Sequence, residues 1–369
     1  MTWSRRKWLL GMAASSSMGG SAQDRVAFHY EAVFSPNALR WYTRFPLLVT
    51  GGVLSAEQTR KLRDGGPRLL AYEWSTGLYP GEPASHREWE RQVRSRKGWL
   101  LSEVPSGGGS AAPNRSAYWY DFGNPDLRAG RTRWLAQLLN QSSYEGFFFD
   151  TVGSEQLPAN MQAAFSKRWP GLSYDACQGQ FLGELRRLIG PKKLIFLNQG
   201  YRHAAELLPH ADMDLTESYF TGIEGPRTRF RAWQDDRAPW ESIRVPMEKL
   251  VLPAAKRFPN VRFVHVNYAT PESAGPAARY SWAVSRLWDH TGYLMVPQRA
   301  ELEQDPIYFN ETGAPAETAW EQEGSVVSRL FEHGIVAMNS SAQPGKIQRT
   351  GTLVPAGPDG FFFPRRAAG

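Results

Sequence analysis

The chain holds one cysteine, Cys177, in 369 residues. A lone thiol excludes an intrachain disulfide and a cysteine-based zinc cluster. Beside Ala176 it reads as a small buried hydrophobe. Histidine is scarce as well, at seven residues. His86, His203, His210, His290 and His333 show no metal-ligand spacing, and His203 and His210 are too far apart to share a helix face. His29 and His265 lie inside apolar runs, where a hydrogen-bonded core role is expected. No metal and no cofactor is therefore expected. A Gly-x-Ser-x-Gly elbow is missing, which argues against a serine hydrolase. No glycine-rich phosphate loop follows the first apolar run, which reads Phe28-His29-Tyr30-Glu31. Nor is there a dense Lys/Arg stripe. The formal charge of +7 falls to +4 when residues 1–22, with three basic residues and no acid, are set aside. Nucleic-acid binding needs a clustered basic face, and Arg227, Arg229 and Arg231 read as a solvated loop. Past the N-terminal segment no stretch approaches the roughly 18 apolar residues of a membrane helix, so no stable membrane insertion is expected of the mature chain.

What the chain has in abundance is aromatic: 14 Trp, 14 Tyr and 19 Phe. Most fill a core, but Trp and Tyr beyond core needs suit a sugar cleft, because a pyranose face stacks on a flat ring. The chain opens Thr2-Trp3-Ser4-Arg5-Arg6-Lys7-Trp8-Leu9-Leu10, continues weakly apolar to Met18, and reaches Gly20-Ser21-Ala22. A basic start, a short apolar stretch and small residues at 20 and 22 predict a signal peptide over 1–22. The paired arginines resemble a twin-arginine export signal, with Trp8 and Leu10 departing from the usual pattern. A periplasmic or secreted protein is expected.

From residue 25 onward short apolar runs alternate with amphipathic stretches. The runs are 26–30, 46–50, 68–74, 146–150, 194–198, 213–217, 262–267 and 292–296. Several lack alternation, as in Phe147-Phe148-Phe149, which is how strands buried on both faces read. Ser55-x-x-Gln58 and Ser85-x-x-Glu88 have the form of capping boxes. Asn124-Pro125 precedes a helix over 127–140, and helices are read at 174–189 and 277–289. Eight strands with intervening helices predict an α/β fold, a (β/α)8 TIM barrel over 23–318. Gly107-Gly108-Gly109-Ser110 marks a loop in a long excursion after the third strand. Strand-like runs at 325–331, 335–338, 352–355 and 361–363 predict a small C-terminal β appendage over 319–369.

Several runs end in a polar residue: Tyr72 and Glu73, Asp150, Asn198, Glu217, and Asn267. In a barrel these ends converge on one rim, where catalytic groups sit. Only one of Tyr72 and Glu73 can face inward, since neighbours on a strand point to opposite sides. Asp121, Tyr219 and Tyr268 complete the candidate binding set. Two carboxylates across a cleft, ringed by Asn and Tyr, meet the requirement for glycosidic bond cleavage. Asp150, short and held at the end of a phenylalanine run, suits a nucleophile or ion stabiliser. Glu217, followed by Ser218, Tyr219 and Phe220, suits a general acid with a raised pKa.

Tyr144-Glu145-Gly146-Phe147-Phe148-Phe149-Asp150, Asn198-Gln199-Gly200 and Asp214-Leu215-Thr216-Glu217-Ser218-Tyr219 resemble successive strand-end motifs of endo-α-1,4-polygalactosaminidase-like barrels and related glycoside-hydrolase-like proteins. The segment Arg329-Leu330-Phe331-Glu332-His333-Gly334-Ile335-Val336-Ala337-Met338-Asn339 resembles the strand pair that follows those barrels. The resemblance runs from about residue 68 to 340. It implies an Asp on the fourth strand and a Glu on the sixth at the active site, Asp150 and Glu217, and a polysaccharide or oligosaccharide substrate. The competing reading is a catalytically inactive glycan-binding barrel, which would be expected to have lost one carboxylate. A metal-dependent lyase or deacetylase needs clustered ligands that the spacing does not offer.

Overall fold

Runs that are apolar on both faces must be covered on both faces, and the chain achieves this by closing them into a cylinder under a jacket of helices. A computed structural model describes residues 25–30, 36–51, 54, 56–64, 66–81, 86–107, 116–232 and 245–365. Eight strands form one parallel sheet in chain order: β1 Val26–His29, β2 Leu47–Thr50, β3 Arg68–Trp74, β4 Gly146–Asp150, β5 Leu194–Asn198, β6 Met213–Glu217, β7 Arg262–Tyr268 and β8 Thr291–Met295. Each pairs in register with the next, and β8 packs beside β1, so the sheet is a nearly closed (β/α)8 barrel. Phe28, Phe148 and Phe196, from β1, β4 and β5, meet at ring separations of 5.1–5.9 Å. They fill the barrel two residues below Tyr30, Asp150 and Asn198 and form the floor of what lies above.

Asn124 caps the helix Pro125–Gln141, its Oδ1 accepting from the amides of Asp126 and Leu127 at 2.9 and 3.3 Å. Ser173 caps Tyr174–Ile189, which stops at Gly190 with φ 76°. The helix Arg87–Ser95 starts behind His86, whose side chain makes no capping bond. Ser55, Ser85, most of the glycine loop (108–110) and residues 1–22 lie outside the described residues. The excursion after β3 also contributes an antiparallel ribbon, Gly77–Leu78 against Tyr118–Trp119. The arginines at 227 and 229, read as loop, sit on a second ribbon, Thr221–Glu224 with Arg227–Phe230, directly after β6.

The C-terminal strands Glu321–Glu323, Val326–Phe331, Gly334–Asn339 and Asp359–Pro364 form an antiparallel sheet. It lies on the helix Ala274–Leu287, which starts three residues earlier than the sequence suggested. Arg279 donates to both carboxylate oxygens of Asp359, at 2.8 and 2.6 Å, and Arg329 donates to the carbonyl of Leu287 at 2.9 Å. Gly360 comes so close that a Cβ would stand 2.0 Å from the Arg279 carbonyl oxygen, so only glycine fits. Among the described residues no helix is long and apolar enough to cross a membrane.

Candidate active site

Asp150, Asn198 and Glu217 end three neighbouring strands, and the parallel ladder sets them side by side at the C-terminal rim. The Asn198 amide nitrogen donates to Oδ1 of Asp150 at 2.6 Å and to Oε2 of Glu217 at 2.9 Å. The nearest oxygens of the two carboxylates can therefore be no farther apart than those two bonds laid end to end. Tyr72 donates its hydroxyl to Oδ2 of Asp150 at 2.5 Å, and Tyr268 donates to Oε1 of Glu217 at 2.6 Å. The amide of Thr151 adds a 2.8 Å bond to Oδ1 of Asp150. All four carboxylate oxygens thus accept from neutral donors, with no cation among them.

Burial raises the Glu217 pKa, and the neighbouring charge of Asp150 raises it further; the Tyr268 and Asn198 bonds oppose both but do not cancel them. Burial first, and then the adjacent carboxylates for Tyr72 and Tyr268 and the Tyr268 hydroxyl followed by those carboxylates for Tyr30, push all three well above the ordinary tyrosine range. These phenols therefore keep their protons. A cavity of about 420 Å³ opens over the group, lined by Tyr30, Tyr72, Trp74, Asp150, Asn198 and Glu217 among others. Trp74 stacks on Tyr79 with ring centroids 4.3 Å apart and planes 15° apart, giving the cavity an aromatic wall.

The other expected binding residues hold partners of their own, and of these Glu73 alone borders the cavity. Glu73 faces the helix layer, as alternation with Tyr72 requires, and its carboxylate meets Arg131 at 2.9 Å and His86 at 3.0 Å. Asn267 is the outward neighbour of Tyr268. Its Oδ1 accepts from the amides of Phe220 and Thr221 at 2.9 and 3.0 Å, holding the turn after β6. Asp121 is fully buried beyond the ribbon, where Arg168 and Trp169 donate to it at 2.7 Å each. Tyr219 is buried with its ring edge-on to Tyr201. None of these four makes a direct bond to the catalytic candidates.

Tyr30, not singled out from the sequence, stands one residue past β1, with its ring 5.5 Å from Tyr72. Its position at the end of an apolar run was the available signal. Glu155, Asp175 and His203 also converge, with one potential ligand atom from each inside 4.8 Å. They come from three separate segments, so spacing could not reveal them. Each imidazole nitrogen of His203 already faces a carboxylate, Nε2 to Glu155 at 2.5 Å and Nδ1 to Asp175 at 3.2 Å. Burial works against the charged ring, but Glu155 and Asp175 outweigh it and raise the His203 pKa. The trio reads as a hydrogen-bonded tie between the loops after β4 and β5.

A (β/α)8 barrel with two carboxylates at its C-terminal rim is an architecture that glycoside hydrolases use. Comparison with protein-family models and with curated proteins returns no match. Among solved structures, the glycoside hydrolase domain of PelA from Pseudomonas aeruginosa is similar at 22% identity and TM-score 0.52, over 76% of this chain and 96% of that one. Cyclic alpha-maltosyl-(1→6)-maltose hydrolase from Arthrobacter globiformis is similar at 9% identity and TM-score 0.55, over 94% and 99%. A noncanonic maltogenic alpha-amylase, AmyB from Thermotoga neapolitana, follows at 9% identity and TM-score 0.51, over 93% and 99%. At these identities the likeness is one of fold.

Proposed function

We propose that this protein is a glycoside hydrolase of the endo-α-1,4-polygalactosaminidase-like kind, acting on an extracellular or envelope polysaccharide with Asp150 and Glu217. The observation that carries the reading is the single Asn198 nitrogen shared between the two carboxylates, with a tyrosine hydroxyl on the far oxygen of each. The shared nitrogen bounds the nearest oxygens of the pair and favours the closer spacing, about 5–5.5 Å, of retaining enzymes over the wider spacing of inverting ones. In the first step Glu217 gives its proton to the glycosidic oxygen as the C1–O bond breaks, and Asp150 forms a bond to C1. In the second, Glu217 takes a proton from water, whose oxygen displaces Asp150 from C1. The raised pKa of Glu217 supports the acid role. Incubation of the protein with a panel of bacterial and fungal polysaccharides, followed by reducing-end assay and proton NMR of the fresh product, tests this. Retained anomeric configuration is expected; first-formed product of inverted configuration would overturn the mechanism, and no release from any polymer would overturn the activity.

The charge of Asp150 raises the Glu217 pKa. Asp150→Asn is therefore expected to lower the pH at which the Glu217 carboxyl band titrates in difference infrared spectra. The acid form of Glu217 survives to higher pH with Asp150 ionised than without it. An unchanged titration would separate the two groups electrostatically.

The N-terminal segment supports export with cleavage after Ala22. Arg5→Lys combined with Arg6→Lys is expected to leave precursor in the cytoplasm, read by fractionation and immunoblot. Normal export of the double variant would point to the general secretory route.

A further inference from the structure

Among the described residues five non-glycine residues have left-handed backbone, and three of them directly follow the three strand-ending site residues. Thr151 has φ 56° after Asp150, Gln199 has φ 63° after Asn198, and Ser218 has φ 58° after Glu217. This conformation crowds a Cβ against the backbone, and glycine or asparagine would adopt it with less strain. A threonine, a glutamine and a serine adopt it here, on three adjacent strands at the same level.

The surrounding ladder holds each turn. The amide of Gln199 donates to the carbonyl of Leu215 at 2.9 Å, and that of Ser218 to the carbonyl of Val266 at 2.8 Å. Each is one rung beyond the regular strand, tying β5 to β6 and β6 to β7. At β4 the Ser75 amide binds the Asp150 carbonyl at 2.9 Å, and the turned Thr151 amide points back to the Asp150 carboxylate itself. A strand continued in extended form would carry the chain straight on and send that amide elsewhere. The left-handed step turns the chain off the strand axis immediately past each functional side chain, and leaves that side chain standing clear at the rim.

We propose that Thr151, Gln199 and Ser218 are positioning residues whose left-handed backbone, pinned by the ladder, aims Asp150, Asn198 and Glu217 at one another. The proposal rests on the hydrolase reading only for its kinetic readout. Ser218→Val and Gln199→Val place a β-branched residue where left-handed backbone is most strained. Each is expected to lower kcat by about 10- to 100-fold through misplacement of the reacting groups, with KM within about twofold. Ser218→Gly and Gln199→Gly, which relax the strain without changing the geometry, are expected to keep kcat within about threefold and to hold or raise the melting temperature. Asp289 is left-handed too, φ 61°, but follows the helix Ala274–Leu287 rather than a site residue. Asp289→Val should therefore lower the melting temperature and leave kcat per folded molecule unchanged. The Glu217 carboxyl band, identified by its loss in Glu217→Gln, should shift its titration in Ser218→Val and not in Ser218→Gly. This second readout needs no turnover, so it stands even where no substrate is found. Unchanged kcat and an unchanged Glu217 titration in the valine variants would overturn the proposal. Equal loss in the glycine variants would also overturn it, by placing the effect in the side chains.

Discussion

Asp150→Asn and Glu217→Gln should each lower kcat on the responsive polysaccharide by at least about 10³-fold, with the melting temperature within a few degrees of the parent's. The network explains why so large a loss can come without unfolding. Asn198 and Thr151 need an acceptor at Oδ1 of residue 150, and an asparagine can offer its carbonyl there. Its amide would then face the Tyr72 hydroxyl, which accepts as readily as it donates. Glutamine at 217 fits the same way, with its carbonyl toward Asn198 and its amide toward Tyr268. Shape and hydrogen bonds survive, and only the nucleophile or the transferable proton is lost. On the proposed mechanism the two groups act on one bond, so the double variant should be scarcely slower than the worse single. Full activity in either single variant would end the assignment.

Glu73→Gln or Arg131→Ala should cost about 3–5 kcal/mol of folding stability, read as a lower urea midpoint. Both side chains are 2% exposed, and their 2.9 Å ion pair sits between β3 and the 125–141 helix. Glu73→Gln strands the buried Arg131 charge, and Arg131→Ala leaves the buried Glu73 carboxylate with His86 alone. Arg131 also lies over the rings of Trp89, Tyr120 and Trp134 at 4.8–5.3 Å, so its loss opens an aromatic cluster as well. Burial alone would raise the Glu73 pKa, but His86 and Arg131 bring it below the ordinary value. A carboxyl depressed in the folded state contributes stability above its unfolded pKa, and that contribution is lost as pH falls through the folded one. The penalty of Glu73→Gln should accordingly be present at neutral pH and shrink in acid. Tyr72→Phe, one residue away but on the inner face, should by contrast leave the midpoint nearly unchanged and reduce kcat. A stable Glu73→Gln variant with impaired substrate binding would return Glu73 to the cleft.

Strands β3 to β6 are legible to the residue because each is a short, mostly apolar run bounded by a polar residue at or near the rim, although β3 carries Glu73 and β6 carries Asp214 and Thr216 within it. Asp150, Asn198 and Glu217 mark where cover ends, so the boundary and the site are the same signal. Pairs of neighbours misled for the opposite reason. Glu73 and Asn267 share strand ends with Tyr72 and Tyr268, but alternation sends one of each pair into the helix layer. Apolar counting cannot tell which. Asp121, in the candidate binding set, is held instead by Arg168 and Trp169, and the ribbon just before it is two residues per strand, too short to leave a periodicity. Tyr30 passed unnoticed because it falls one residue past β1 and carries no charge. The left-handed residues are invisible in principle: nothing distinguishes this Thr, Gln or Ser from one in ordinary backbone.

The helix Ala274–Leu287 has one side against β8 and the other under the C-terminal sheet, and every residue from Tyr280 to Leu287 is buried. Outer helices of a barrel ordinarily show water a polar stripe, and this one has Trp282, Val284 and a run of small residues instead. The sheet therefore serves as the missing outer wall of the cylinder. A chain cut after residue 318 would bare that apolar surface and leave Arg279 without Asp359. Such a fragment should collect in inclusion bodies, and nicking by proteases in the 340s should abolish activity and solubility together. In lineages that shuffle modules, this appendage would travel with its barrel or not at all.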